Sequence, residues 1–109
     1  MNKIKAIVKR PDEVKGHVTS VSNTLENLQT HVGGYIEVFR GGPNWAIICN
    51  EEGKIRRMEP NCYCLGELFV GNILIVGVDK DEFCDVPGSV LMMWKMGVLF
   101  QPYEGGPAW

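Results

Sequence analysis

Histidine is scarce in this chain: His17 and His31 are the only two among 109 residues. A cysteine or serine nucleophile needs a base within hydrogen-bond reach, and neither histidine sits in a local signature that ties it to a cysteine. A Gly-rich phosphate loop is also missing, because Gly41-Gly42-Pro43 is followed by neither Lys-Ser/Thr nor a helix. The longest apolar stretch, Val90 to Phe100, is broken by Lys95 and Gly97, short of the roughly 20 residues that cross a bilayer. Lys3, Lys5, Lys9 and Arg10 interrupt the apolar pattern at the N-terminus. No secretory signal is therefore expected, and the expected location is cytoplasmic, away from any membrane. Charge of one sign is lacking too. Eleven basic and thirteen acidic residues leave a net charge of −2, too weak a field to gather a polyphosphate backbone, so no nucleic-acid partner is expected.

What is present is enough apolar material to fold. The chain is 45% hydrophobic and 22% charged, an ordinary globular balance. Its length gives room for a single domain over 1–109 with a modest core, which self-association into a homo-oligomer would help to stabilise. Cys49, Cys62, Cys64 and Cys84 are read as reduced thiols. Only one close pair exists, with a single residue between, whereas structural zinc sites bring pairs spaced by two to four. No metal and no cofactor are expected.

Hydrophobic periodicity predicts an α+β fold: an antiparallel sheet of about five or six strands, one helix after the second strand and another near the C-terminus. Ile4, Ala6 and Val8 alternate with lysines as a first strand, and His17 to Val21 is β-branched and strand-like. Asn23 is placed as the N-cap of a helix over about 23–33, with Glu26 reaching back and Gly33 ending it. Tyr35 to Phe39 and Trp45 to Cys49 form a hairpin, and Lys54 to Met58 is expected to return as the next strand. Cys62 to Gly71 reads as a loop. Ile73 to Val78 is apolar enough for a central strand buried on both faces. Asp85 is expected to cap a last helix carrying Val90, Leu91, Trp94 and Val98, and residues 101–109, rich in Pro and Gly, to form an extended tail.

Carboxylates cluster at Glu51-Glu52 and at Asp79, Asp81 and Glu82. Such clusters serve metal-assisted hydrolysis, but these lie in turns beside lysines, where solvated charge is the plainer explanation. A second grouping is aromatic and polar: Tyr35, Arg40, Asn44, Trp45, Asn50, Arg56, Arg57, Asn61 and Tyr63 fall on or beside the central hairpins. Aromatic faces stack on bases, guanidinium groups pair with phosphates and amides read polar edges, so the set suits a nucleotide-like ligand. Core packing by Tyr35 and Trp45, with the arginines as surface charges, is the alternative.

The run from Asn23 through Thr24-Leu25 to Gly33-Gly34-Tyr35-Ile36-Glu37, then Asn50-Glu51-Glu52-Gly53 and Pro60-Asn61, resembles a family of small uncharacterised proteins from phages and their bacterial hosts. The resemblance spans most of residues 3–84 and loosens at Cys62-Tyr63-Cys64, the 41–45 turn and the Met-rich C-terminal run. It implies a phage accessory protein. By analogy of class it points to a counter-defence protein that sequesters a nucleotide-derived immune messenger, a cyclic ADP-ribose species or a cyclic dinucleotide, without turnover. Tyr35, Arg40, Trp45, Asn50 and Asn61 are the expected contacts, and Arg40→Ala and Trp45→Ala are expected to weaken binding without unfolding the chain. The alternatives are an inhibitor that binds a host defence or CRISPR effector protein, and a metal-dependent phosphodiesterase.

Overall fold

The computed structural model describes residues 2–105. Among the described residues, nine strands and two helices follow in the order β1 (Lys3–Lys9), β2 (His17–Ser22), α1 (Leu25–Val32), β3 (Ile36–Gly42), β4 (Trp45–Asn50), β5 (Pro60–Cys64), β6 (Glu67–Val70), β7 (Ile73–Asp79), β8 (Glu82–Cys84), α2 (Gly88–Lys95) and β9 (Gln101–Pro102). The expected α+β class is what the chain adopts. A six-stranded sheet runs β2-β1-β7-β4-β3, with β8 hydrogen-bonded to β7, and a three-stranded sheet runs β6-β5-β9. All the pairings are antiparallel.

The period of two in β1, β4 and β7 sorts the core into two layers, because successive side chains leave opposite faces of a sheet. Ile7, Trp45, Ile47, Ile73 and Ile75 face the small sheet and α2, where they meet Cys62, Cys64, Phe69, Val90 and Leu99. Ala6, Val8, Ala46, Ile48, Leu74 and Val76 face the opposite side, which Leu28 and Val32 of α1 cover. Ile73 to Gly77 is buried throughout, as its apolar run predicts. Its last residue has a steric reason: a Cβ at Gly77 would collide with the Asp85 carbonyl oxygen.

Several expectations are corrected. Lys54–Met58 is not a strand. Both edges of β4 are already taken, by β3 and β7, so the chain turns repeatedly instead, with Arg56 N–H donating to the Glu52 carbonyl and Met58 N–H to Gly53. Cys62-Tyr63-Cys64 is not a loop but lies within β5, with Cys62 and Cys64 buried and Tyr63 turned outward. Thr24, not Asn23, caps α1, accepting from the Asn27 amide; the Asn23 side chain instead donates to the Phe83 carbonyl. Asp85 caps no helix. Its Oδ1 accepts from the Lys5 amide, and α2 starts after Pro87 without a side-chain cap. In the expected tail, Gln101 and Pro102 pair with Tyr63 and Cys62, while 106–109 lie outside the described residues.

Candidate functional site

A cleft of about 270 Å³ opens where the β1–β2 connection faces the end of α2 and β9; its walls include Lys9, Val14, Lys15, Cys62, Trp94 and Phe100. Lys9 ends β1 on the face that Ile7 turns to the core, so the chain buries it at 3% exposure. Its ammonium donates to the Glu13 carbonyl at 2.7 Å and Asn61 Oδ1 at 2.8 Å, with a long third contact of 3.5 Å to the Arg10 carbonyl. It lies 5.9 Å from the centre of the Phe100 ring. Among the described residues no carboxylate pairs with it. Buried charges are ordinarily paired, because desolvation is costly, so this one is solvated by neutral oxygens alone.

The segment Arg10–Gly16 forms one wall as a strap. Trp94 Nε1 donates to the Lys15 carbonyl at 2.8 Å, and the Lys15 ammonium sits 4.9 Å from the centre of the same indole. Glu13 fastens the strap at its base, accepting from the Arg10 amide at 3.0 Å and meeting His17 Nδ1 at 2.8 Å. Partial burial raises the Glu13 carboxyl, but hydrogen bonds from His17 and the Arg10 amide, with the charges of both residues, outweigh it and hold the group below its usual 4.5. A depressed carboxylate stabilises the fold above its unfolded-state value, and that contribution disappears as pH falls through the lower folded-state value. The melting temperature is therefore expected to fall more steeply below pH 4.5 in the wild type than in Glu13→Gln. Parallel pH profiles of thermal unfolding for the two proteins check this, and superimposable slopes would count against the fastening.

The residues expected to contact a ligand do not converge. Tyr35 stands exposed just before β3. Arg40 is spent on its own turn, donating to the Gly42 and Pro43 carbonyls. Trp45 is buried at 6% exposure against Gly41, where an added Cβ would come within 2.5 Å of the indole. Asn50 is a fastener, donating to the Val32 carbonyl at the end of α1 and accepting from the Glu52 amide. Asn61 is buried behind the cleft described above and touches it only through Lys9, whose ammonium donates to it. Its amide nitrogen also donates to the Lys9 and Gly71 carbonyls.

A second cleft, of about 280 Å³, is lined by Asn50 with Glu37, Glu51 and Glu67, and by Phe39 and Phe69. Lys54 is held on Glu67 at 3.1 Å. Burial, followed by the charge of Glu37, pushes the Cys49 thiol there up to about 11. Carboxylates repel an anion, so this cleft and the Lys9 cleft differ in the sign of ligand they favour.

Lys9, Trp94 and Phe100 were not among the ligand contacts expected from the sequence, which places Lys9 on the solvent side of the first strand and Trp94 on the apolar face of the last helix. The signal for Lys9 was present: Ala6-Ile7-Val8 breaks the strict alternation, which means that both faces of β1 are covered from Ile7 onward, including the face of Lys9. Cys62 contributes no nucleophile, since burial pushes its thiol up to about 11. Among the described residues no group of three or more His, Cys, Asp or Glu is placed to hold a metal ion, and no helix is long and apolar enough to cross a membrane. All four cysteines are free.

No curated protein and no solved structure matches the chain. One family model does match, over residues 4–96, which runs from β1 into the turn after α2 and leaves out the Leu99–Pro102 side of the cleft. The chain belongs to the family described as a domain of unknown function, DUF3846.

Proposed function

We propose that the protein is a non-catalytic binder of a nucleotide-derived anion, held in the cleft between the strap and α2. The observation that carries this reading is Lys9: a buried ammonium with neutral partners only, in the wall of an aromatic and apolar cleft. Its third hydrogen bond is long, at 3.5 Å, so one donor remains for a phosphate oxygen, and charge-assisted bonds of that kind are about twice as strong as neutral ones. Trp94 and Phe100 offer ring surfaces for a base, and Lys15 adds a second cation at the mouth. The volume of about 270 Å³ is at the small end for ligand pockets. It suits one base with its phosphate, and a larger messenger would extend along the rim.

The titratable groups lining this cleft are two lysines and a thiol that stays protonated, which favours retention over turnover. Together with the resemblance to phage proteins, this supports sequestration of an immune messenger, a cyclic ADP-ribose species or a cyclic dinucleotide, inside the host cell. The test is to incubate the purified protein with a panel of these nucleotides, remove free ligand by filtration and heat-release what was retained. Intact nucleotide in the released fraction is expected. Cleaved nucleotide would make it an enzyme, and a panel that passes through unretained would overturn the reading.

One observation favours a second reading, an inhibitor docking on a host protein. Val14, 97% exposed, and Met92, Met96 and Val98 leave apolar side chains in water on the strap and around α2, and flexible Met side chains adapt to partner surfaces. A stoichiometric protein complex formed by a chain that retains no nucleotide would favour that reading.

A further inference from the structure

We propose that β3 is a dimerisation edge, on which a second copy of this chain pairs its own β3 antiparallel so that the large sheet runs on through both copies. β3 ends the six-stranded sheet and, among the described residues, has β4 as its one neighbour. The Glu51 amide donates to the Tyr35 carbonyl at 2.8 Å, and the register then pairs Glu37 with Cys49 and Phe39 with Ile47. Hydrogen bonding to a neighbour alternates along an antiparallel strand, so Ile36, Val38 and Arg40 turn their N–H and C=O groups to the open side.

Edge strands are ordinarily guarded by proline, by lysine or by a bulge that twists them away. Between Ile36 and Arg40 there is neither proline nor lysine, and the bulge comes only after Arg40. A two-fold axis through Val38 satisfies all three outward residues: Val38 pairs with Val38 of the second copy, and Ile36 with Arg40 in both directions. In this register Glu37 lies opposite Phe39, so no like charges are directly opposed.

Backbone pairing alone is too small an interface. A standard one takes roughly 800 Å² from each partner, about one eighth of the 6391 Å² accessible here. The apolar remainder is at hand. Val38, 41% exposed, projects from the same sheet face as Ile36, the face on which α1 packs, and Leu25, 59% exposed, stands in water at the start of α1. The other end of the sheet, β2, offers no exposed large apolar side chain, which selects the symmetric β3 pairing over a head-to-tail one that would propagate.

The test is light scattering and sedimentation of the full chain up to roughly 50 µM, a concentration at which micromolar association is visible. Twice the 12.2 kDa chain mass is expected. Val38→Lys sets two ammonium groups face to face on the axis and should raise the dimer dissociation constant at least about tenfold, with the far-ultraviolet circular dichroism unchanged. Thr19→Lys, on the opposite edge, should leave the dimer intact. If Val38→Lys does not fold, Leu25→Glu, at the start of the helix that packs on the Val38 face, tests the same interface. A wild type that stays monomeric, a folded Val38→Lys that stays dimeric, or a mass that keeps growing with concentration would each overturn the proposal.

Discussion

Replacing Lys9 with Met is expected to weaken nucleotide retention by roughly tenfold to a hundredfold, the worth of one hydrogen bond to a charged group. Met keeps most of the side-chain length while removing the charge and its approach to the Phe100 ring. The stability change has two opposing parts. Loss of the ammonium strands Asn61 Oδ1 and the Glu13 carbonyl, at about 1–3 kcal/mol for each acceptor left dry. Against this, a buried charge without a counter-ion is itself costly to maintain. The variant should therefore fold with a lowered urea midpoint. Lys3→Met, an exposed position on the same strand, changes the net charge equally and should retain nucleotide as the wild type does. Equilibrium dialysis of the three proteins against one retained nucleotide makes the comparison; equal retention by a folded Lys9→Met would remove the basis of the anion site.

Trp45→Ala is expected to cost about 3–5 kcal/mol, the range for emptying a buried aromatic site. A small domain has only about 5–15 kcal/mol in total, so the urea midpoint should drop sharply. The cause is packing. The indole lies in the core cluster with Ile47, Phe69 and Ile75, and the Gly41-Gly42 turn fits against it where a Cβ would collide. This departs from the expectation drawn from sequence, in which loss of Trp45 weakens ligand binding and leaves the fold intact. A Trp45→Ala protein with wild-type stability and no nucleotide retention would restore the indole as a ligand contact.

The two variants mark where sequence reading succeeds and where it stops. Trp45 and Asn50 carry residue types common in nucleotide sites, but type alone does not separate a contact from a fastener. Asn50 looks equally suited to a ribose edge, yet its amide is used up on Val32 and Glu52. The same holds for the thiols: Cys62-Tyr63-Cys64 reads as a loop until β6 and β9 arrive on either side of it, and the alternation of buried and exposed residues then makes sense as a strand.

The α+β class, the helix that stops at Gly33, the hairpin through Gly41-Gly42-Pro43 and the doubly buried run at Ile73 are matters of local pattern. Side-chain period, capping and turn chemistry act over a few residues, so the order of amino acids is enough to reveal them. Which neighbours β4 has, and hence why Lys54–Met58 cannot be a strand, depends on β7 arriving from more than twenty positions away. The cleft depends on long-range packing even more. Lys9 meets Asn61 across 52 residues and Trp94 holds the strap across 79. The broken alternation at Ile7 marks the Lys9 face as covered, but only the folded chain decides what covers it and brings the neutral Asn61 oxygen to the ammonium, because that residue comes from a distant part of the sequence.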